Sequence, residues 1–79
     1  MTRPLIDLSP GESARLAAPD GGAAIPRRLL DLGFVPGTLL TVVRFAPMGD
    51  PVEIELRGFR VCLRRGQLGA LRVDAGEGA

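Results

Sequence analysis

The C-terminal half of the chain alternates apolar and polar residues with the two-residue period of β-strands. The alternation predicts four strands, over residues 38–46, 51–56, 59–64 and 70–73. Pro47-Met48-Gly49-Asp50 separates the first two strands as a four-residue loop, and Arg57-Gly58 separates the next two as a two-residue turn. Consecutive strands with such short connections predict an antiparallel meander.

The two loop lengths also predict the register, because the number of loop residues decides which residues lie opposite each other. Apolar residues then face one another on one side of the sheet, and glutamate faces arginine on the other side. The predicted pairs are Leu56 with Phe59, Ile54 with Val61, Val52 with Leu63, Glu55 with Arg60, Phe45 with Val52, Val43 with Ile54, and Arg44 with Glu53.

This register leaves an apolar patch on the outer face of the sheet, formed by Leu40, Val42 and Cys62. Phe59, by contrast, is predicted to join the buried face. An apolar patch on so small a sheet needs a cover. We expect the helix of the N-terminal half to provide it, with a partner protein as the alternative.

Residues 23–32 have the spacing of that helix. Ile25, Leu29 and Leu32 fall at i, i+4 and i+7, which is one helical face. Pro26 is tolerated only in the first turn, so the regular helix is predicted to begin close to it. Arg27 and Asp31 are four residues apart and are expected to form an ion pair on the open face.

Gly33 is predicted to end the helix in the left-handed conformation, with Phe34 packing back on the helix. Pro36-Gly37 has the residue order of a type II turn that leads into the next strand. The same turn chemistry recurs at Pro10-Gly11, before a short strand predicted over residues 12–18.

The residues before that strand are expected to be a lead-in whose apolar side chains pack on the sheet. About five strands and one inserted helix therefore predict a mainly β fold, a small and partly closed antiparallel barrel. We expect a single domain over residues 1–79, with its core over 5–73 and a frayed tail over 74–79.

The composition excludes several kinds of chemistry. The 79 residues include no histidine and one cysteine, which leaves no Ser/His/Asp triad, no internal disulfide and no cysteine-rich zinc site. A net charge of +1 gives little attraction for nucleic acid or for a membrane surface. No apolar run approaches the roughly 20 residues that span a bilayer, and no signal peptide is recognisable, so a cytoplasmic location is expected.

No motif predicts a catalytic, cofactor or metal site. Pro19-Asp20-Gly21-Gly22 is glycine-rich and precedes the helix, but it lacks the Gly-Lys-Ser/Thr of a phosphate-binding loop. Cys62 lies in mid-strand and is interpreted as a small apolar filler, since no histidine could activate its thiol. The arginine-rich C-terminal part leaves RNA binding as an alternative, although the chain has no Tyr or Trp on which bases would stack.

Three segments resemble the FeoA family when they are taken in order. Arg28-Leu29 with Leu32-Gly33-Phe34 and Pro36-Gly37 is similar to the R-L-x-x-L-G-[FLM]-x-P-G signature of that family. Residues 46–51 resemble its A-P-x-G-D-P loop, and residues 57–64 resemble its R-G-x-x-[VIL]-[AS]-L-R segment. Cys62 stands where the family often has alanine or serine, and residues 66–69 replace a commoner helical segment.

The resemblance implies an SH3-like barrel without enzymatic activity or cofactor. It implies a cytoplasmic accessory protein of bacterial ferrous iron uptake that binds and modulates FeoB, a membrane transporter with a cytosolic GTPase domain, and is held at the inner membrane through that partner. It implies neither nucleic-acid binding nor membrane insertion, and it leaves homo-oligomerisation open. The alternative that it implies is a free-standing regulatory or oligomerisation module, like the C-terminal domain of DtxR-type metal-dependent repressors.

Two exposed segments are the candidates for partner binding. On the helix, the polar residues outside the apolar face are Arg27, Arg28 and Asp31. In the loop between the first two strands of the meander, the candidates are Pro47, Met48 and Asp50. Met48 has no evident place in the core, so we expect it to be an exposed apolar contact.

Overall fold

The computed structural model describes residues 1–19 and 23–74, which form six strands and two short helices. In chain order the elements are β1 (Thr2–Pro4), a 3₁₀ turn (Leu5–Asp7), β2 (Ser13–Arg15), α1 (Arg27–Leu32), β3 (Leu39–Phe45), β4 (Val52–Leu56), β5 (Phe59–Leu63), α2 (Arg65–Leu68) and β6 (Arg72–Asp74).

Two antiparallel sheets make up the fold. One has four strands in the order β2-β3-β4-β5, and the other pairs β1 with β6. A bridge between Leu16 and Val73 joins the sheets, and the Ala17 N–H donates to the Arg72 carbonyl at 2.9 Å. This arrangement confirms the predicted fold class, a mainly β and partly closed antiparallel barrel.

The lead-in is more ordered than the sequence predicted. Residues 2–4 form β1 by pairing with β6, seventy positions away in the sequence, and the Arg72 guanidinium donates to the Thr2 hydroxyl at 2.8 Å. Leu5 and Leu8 are buried, which confirms that this segment packs on the sheet. The predicted tail, apart from Asp74, and residues 20–22 lie outside the described residues.

The core lies between the two sheets and the helices, so nearly every element contributes to it. Strands β3 and β4 bury alternate residues, as their sequence pattern predicts. The buried cluster comprises Leu5, Leu8, Leu16, Ile25, Leu29, Phe34, Leu40, Val42, Val52, Ile54, Leu56, Leu63, Leu68, Leu71 and Val73.

The predicted register is confirmed for β4 with β5 but is wrong for the first part of β3. Val42, not Val43, pairs with Ile54, whereas Arg44 still pairs with Glu53. A β-bulge between Val42 and Arg44 inserts one extra residue into β3, and that residue reverses the facing of the strand before it.

The bulge removes the apolar outer patch that the sequence predicted. Leu40 and Val42 point into the core and are 0% and 1% exposed, so they form no patch on the outer face that needs a cover. Cys62 does lie on the outer face, but its thiol is exposed, and its interpretation as a core filler is wrong.

Phe59 was predicted to be buried and is instead 44% exposed. The residue has the predicted partner, Leu56, and therefore lies on the inner side of the sheet. Since β5 is the last strand of its sheet, no second strand of residues 1–19 and 23–74 pairs with it and covers the ring from the other side.

Helix α1 begins at Arg27, directly after Pro26 as predicted, and residues 23–26 are not helical, since Pro26 itself has ψ of 141°. Its end is as predicted. Gly33 has φ of +109°, its N–H donates to the Leu30 carbonyl at 2.9 Å, and the Phe34 N–H donates to the Leu29 carbonyl at 3.0 Å. These two bonds are those of a Schellman motif.

Candidate partner-binding surface

The three candidate residues of α1 lie on the side of the helix that faces away from the core, and all three are exposed. Arg27 and Asp31 form the predicted ion pair, with Nε and Oδ1 3.5 Å apart and side chains 87% and 69% exposed. A pair with this exposure contributes little to stability. This ion pair can therefore break at little cost in stability, and each side chain can then bind a partner instead.

The loop of residues 47–50 presents Met48 to solvent. Its base is closed by two backbone hydrogen bonds, from the Ala46 N–H to the Pro51 carbonyl at 3.0 Å and from the Gly49 N–H to the Ala46 carbonyl at 2.7 Å. The Asp50–Pro51 peptide bond is cis. Met48 is 92% exposed at the tip, as the sequence predicted.

Asp50 faces inward from this loop toward α2. Its carboxylate accepts the Arg65 backbone N–H at 2.9 Å and lies 3.8 Å from the Arg64 guanidinium. The Arg65 side chain also contacts the loop, because it donates a hydrogen bond to the Gly49 carbonyl at 3.1 Å. Its guanidinium lies 5.3 Å from the centre of the Phe45 ring. Asp50 therefore holds the loop against α2.

A shallow groove of about 220 Å³ separates α1 from α2. Its lining is mostly apolar and consists of Pro26, Arg28, Leu29, Gly66, Gln67 and Ala70. Ligand pockets usually measure about 300–1,000 Å³, so this groove has room for a partner's side chain rather than for a cofactor. Within residues 1–19 and 23–74, the side chain of Arg28 makes no hydrogen bond or ion pair.

Residues 64–70 join the two candidate segments into one surface. Arg65 contacts the loop, and the next two residues, Gly66 and Gln67, form one wall of the groove that Arg28 borders. The sequence predicts a short connection over residues 66–69, with one helical turn as the alternative, and α2 is that turn. The available signal was Gln67, whose side-chain oxygen accepts the Arg64 N–H at 3.1 Å, as the third residue of a capped helix does.

The outer face of the four-stranded sheet carries an ion-pair network. Glu53 lies 2.9 Å from Arg44 and 3.5 Å from Arg60, which is also 3.6 Å from Glu55. The hydrogen bond from Arg44 holds the pKa of the Glu53 carboxyl below its usual value. A carboxylate ionised in this way is a structural partner and a poor general acid.

Two kinds of feature are absent from the part of the chain that the structure describes. Its histidine, cysteine, aspartate and glutamate side chains form no group of three that could hold a metal ion. None of its helices is long and apolar enough to cross a membrane.

Comparison with known proteins identifies the family. The FeoA domain family matches residues 3–75, nearly the whole chain. The chain belongs to the FeoA family. A curated relative from Porphyromonas gingivalis, a fusion of Fe(2+) transport protein A with the Fe(2+) transporter FeoB, is 34% identical over 70 residues. That match covers 89% of this chain but only 8% of the relative.

Solved FeoA structures have the same fold. The FeoA protein of Chlorobium tepidum is 33% identical with a TM-score of 0.79, over 98% of this chain and 74% of that protein. FeoA of Stenotrophomonas maltophilia, solved in complex with zinc, is 33% identical with a TM-score of 0.74, over 95% and 91% of the two chains. It is described as a prokaryotic SH3 domain protein, which confirms the SH3-like fold that the resemblance implied.

Proposed function

We propose that this protein is a non-enzymatic accessory of bacterial ferrous iron uptake that binds a FeoB-type transporter and modulates its transport. The fusion in Porphyromonas gingivalis carries the proposal, since one chain there contains both a FeoA part and FeoB. Joining two modules by a linker keeps each at a high effective concentration near the other. Such a fusion is advantageous when the two parts act on each other.

The proposed contact surface is the one formed by α1, α2 and the loop of residues 47–50. Met48 is its exposed apolar contact, and the groove between the helices accepts a further apolar side chain of the transporter. Arg28 gives the groove a polar border, and Arg27 and Asp31 add exposed polar groups on the same helix. An apolar centre with a polar rim is the usual organisation of a protein interface.

Pro47 and Asp50 have an indirect role in this proposal. Asp50 is bound to α2 through the Arg65 N–H and keeps Met48 at the loop tip. The partner of this surface is the cytosolic part of the transporter, so the protein works in the cytoplasm and reaches the inner membrane through that partner.

Binding measurements with the purified transporter test the proposal. We expect the full chain to bind the detergent-solubilised transporter encoded in the same genome, and Arg28→Glu and Met48→Ser each to weaken binding by about 30-fold, the effect of removing one interface hot spot. Arg15→Glu is the control for the charge change, because Arg15 is an exposed arginine of β2 that does not border the groove; its side chain donates an exposed hydrogen bond to the Gly37 carbonyl at 3.0 Å, so the fold of this variant is checked by its Tm.

Two results would contradict the proposal in different ways. Absence of binding at high micromolar concentration would remove the accessory role itself. Binding that Arg15→Glu weakens as much as Arg28→Glu does would keep the partner but place the interface elsewhere. The transporter's GTPase and transport rates, measured with and without the protein, then show whether binding activates or restrains transport.

A further inference from the structure

Strand β5 has an open edge. Among the strands of the described residues, β5 pairs only with β4. Its two-residue turn makes Leu56 and Phe59 a hydrogen-bonded pair, and such pairs alternate along an antiparallel ladder. The N–H and C=O groups of Phe59, Val61 and Leu63 therefore point toward β4, whereas those of Arg60 and Cys62 point away from the sheet.

This edge lacks two of the features that usually prevent pairing with another chain, a proline and a bulge. It spans five residues, Phe59–Leu63, and contains neither a proline nor a bulge. Its inner side shows apolar surface, because Phe59 is 44% exposed and Val61 is only partly buried. Its outer side shows the exposed residues Arg60 and Cys62.

We propose that β5 pairs with β5 of a second copy of this chain, antiparallel and centred on Val61. In such a dimer, residues whose N–H and C=O groups point away from their own sheet must lie opposite one another. The two-fold axis that relates the copies can therefore pass beside Arg60, Val61 or Cys62. A centre at Arg60 places arginine opposite arginine, and a centre at Cys62 places Arg60 opposite Arg64. Both contain destabilising like-charge pairs.

The centre at Val61 is the self-complementary one of the three. It places Arg60 opposite Cys62 of the second copy on the outer side, with no like charges opposed. On the inner side it places Phe59 opposite Leu63 and Val61 opposite Val61, so apolar residues meet and the Phe59 ring is covered. The apolar match on the inner side, together with the absence of opposed like charges on the outer side, is what favours a second copy as the occupant.

The pairing is expected to be weak. Five residues a side is well below the roughly 20 to 30 of a standard interface, so a dissociation constant on the order of 100 µM is reasonable. This inference goes beyond the proposed function, and its test contains no transporter. The two can therefore fail separately.

Charge changes at position 62 separate an effect on dimer affinity from an effect on monomer stability, because this position lies opposite a different charge in the dimer and within one chain. Within one chain Cys62 lies opposite Glu53, and in the dimer it lies opposite Arg60 of the second copy. Cys62→Glu should tighten the dimer by about two- to thirtyfold, from two new opposite-charge pairs, and Cys62→Arg should weaken it similarly. Monomer stability should change in the opposite sense, with Cys62→Arg the more stable variant.

Sedimentation equilibrium of the full chain and the two variants, up to about 1 mM, measures the dissociation constants. Amide exchange provides a second readout: protection at Arg60 and Cys62 should rise with concentration, while protection at Val61 should not change. A chain that stays monomeric at about 1 mM overturns the proposal. So does a dimer whose affinity changes in the same direction in both variants.

Discussion

Replacing Gly33 by alanine tests how the end of α1 is joined to the barrel. Gly33 has φ of +109°, a conformation that alanine adopts only with strain. A Cβ at this position would also lie 2.9 Å from Cδ of Arg57 and 3.3 Å from Cδ1 of Leu56. The substitution therefore perturbs the backbone and the contact with the β4–β5 turn together.

The two effects can be given magnitudes. A non-glycine residue in the left-handed region costs roughly 1–2 kcal/mol. The Arg57 stem can move aside, but Leu56 is 1% exposed and cannot, and overpacking a core residue costs about 1–3 kcal/mol. We expect Gly33→Ala to lower the free energy of unfolding by about 2–3 kcal/mol, which corresponds to a Tm lower by about 10–20 °C for a domain of this size.

Gly37→Ala is the matched control for the backbone effect alone. Gly37 has φ of +95°, and no atom lies within 4 Å of a Cβ built on it. Denaturant unfolding should give a loss of about 1 kcal/mol for this variant, smaller than for Gly33→Ala, and Arg57→Ala should recover part of the difference. Equal losses for the two glycines would refute the close contact with the β4–β5 turn.

Three further predictions concern the bulge, the ion pairs and the loop. Leu40→Ala should cost about 2–5 kcal/mol and Leu39→Ala less than about 0.5 kcal/mol by denaturant unfolding; the reverse order would contradict the bulge in β3. The lowered pKa of Glu53 means that its ionised form stabilises the fold above the unfolded value of 4.5, and this stabilisation is lost as pH falls through the lower folded value. Glu53→Gln should therefore lose less stability than the wild type on acidification. The same dependence of stability on pH in both proteins would contradict a contribution from the ion-pair network. Arg65→Ala should speed amide exchange at Gly49 by about fivefold, through loss of roughly 1 kcal/mol of contacts, without affecting the β4–β5 ladder.

The parts of the fold that could be predicted from the sequence are those that short turns determine. A two-residue turn and the opposition of Glu55 to Arg60 are sufficient to fix the β4–β5 register. The glycine after α1 and the Pro-Gly pair after it define the helix end. Each of these depends on neighbours in the sequence, where turn chemistry is decisive.

The bulge could not be predicted, because β3 is apolar on both faces. Its sequence, Leu-Leu-Thr-Val-Val-Arg-Phe, satisfies either facing of the first part, so alternation alone does not locate the extra residue. Strand β1 and helix α2 have three and four residues, too few for a period to be recognised. The pairing of β1 with β6 joins the two ends of the fold and has no local signal.

Only the part of the candidate surface that depends on neighbours in the sequence could be predicted. Met48 could be predicted as exposed because the loop that holds it contains only turn residues. The groove could not be predicted, because it forms where α1 packs beside α2, two segments far apart in the sequence. The inward orientation of Asp50 likewise depends on contacts with Arg64 and Arg65, and Arg65 lies fifteen positions further along the chain.

Ferrous iron uptake in cells tests the central claim most directly. In a strain that lacks this protein but keeps its FeoB-type transporter, uptake of radiolabelled ferrous iron should differ from the parent strain, and the wild-type chain should restore it. The Arg28→Glu variant, produced at the same level, should fail to restore it, whereas Arg15→Glu should succeed. Unchanged uptake in the deletion strain would contradict the proposal that this protein acts on the transporter.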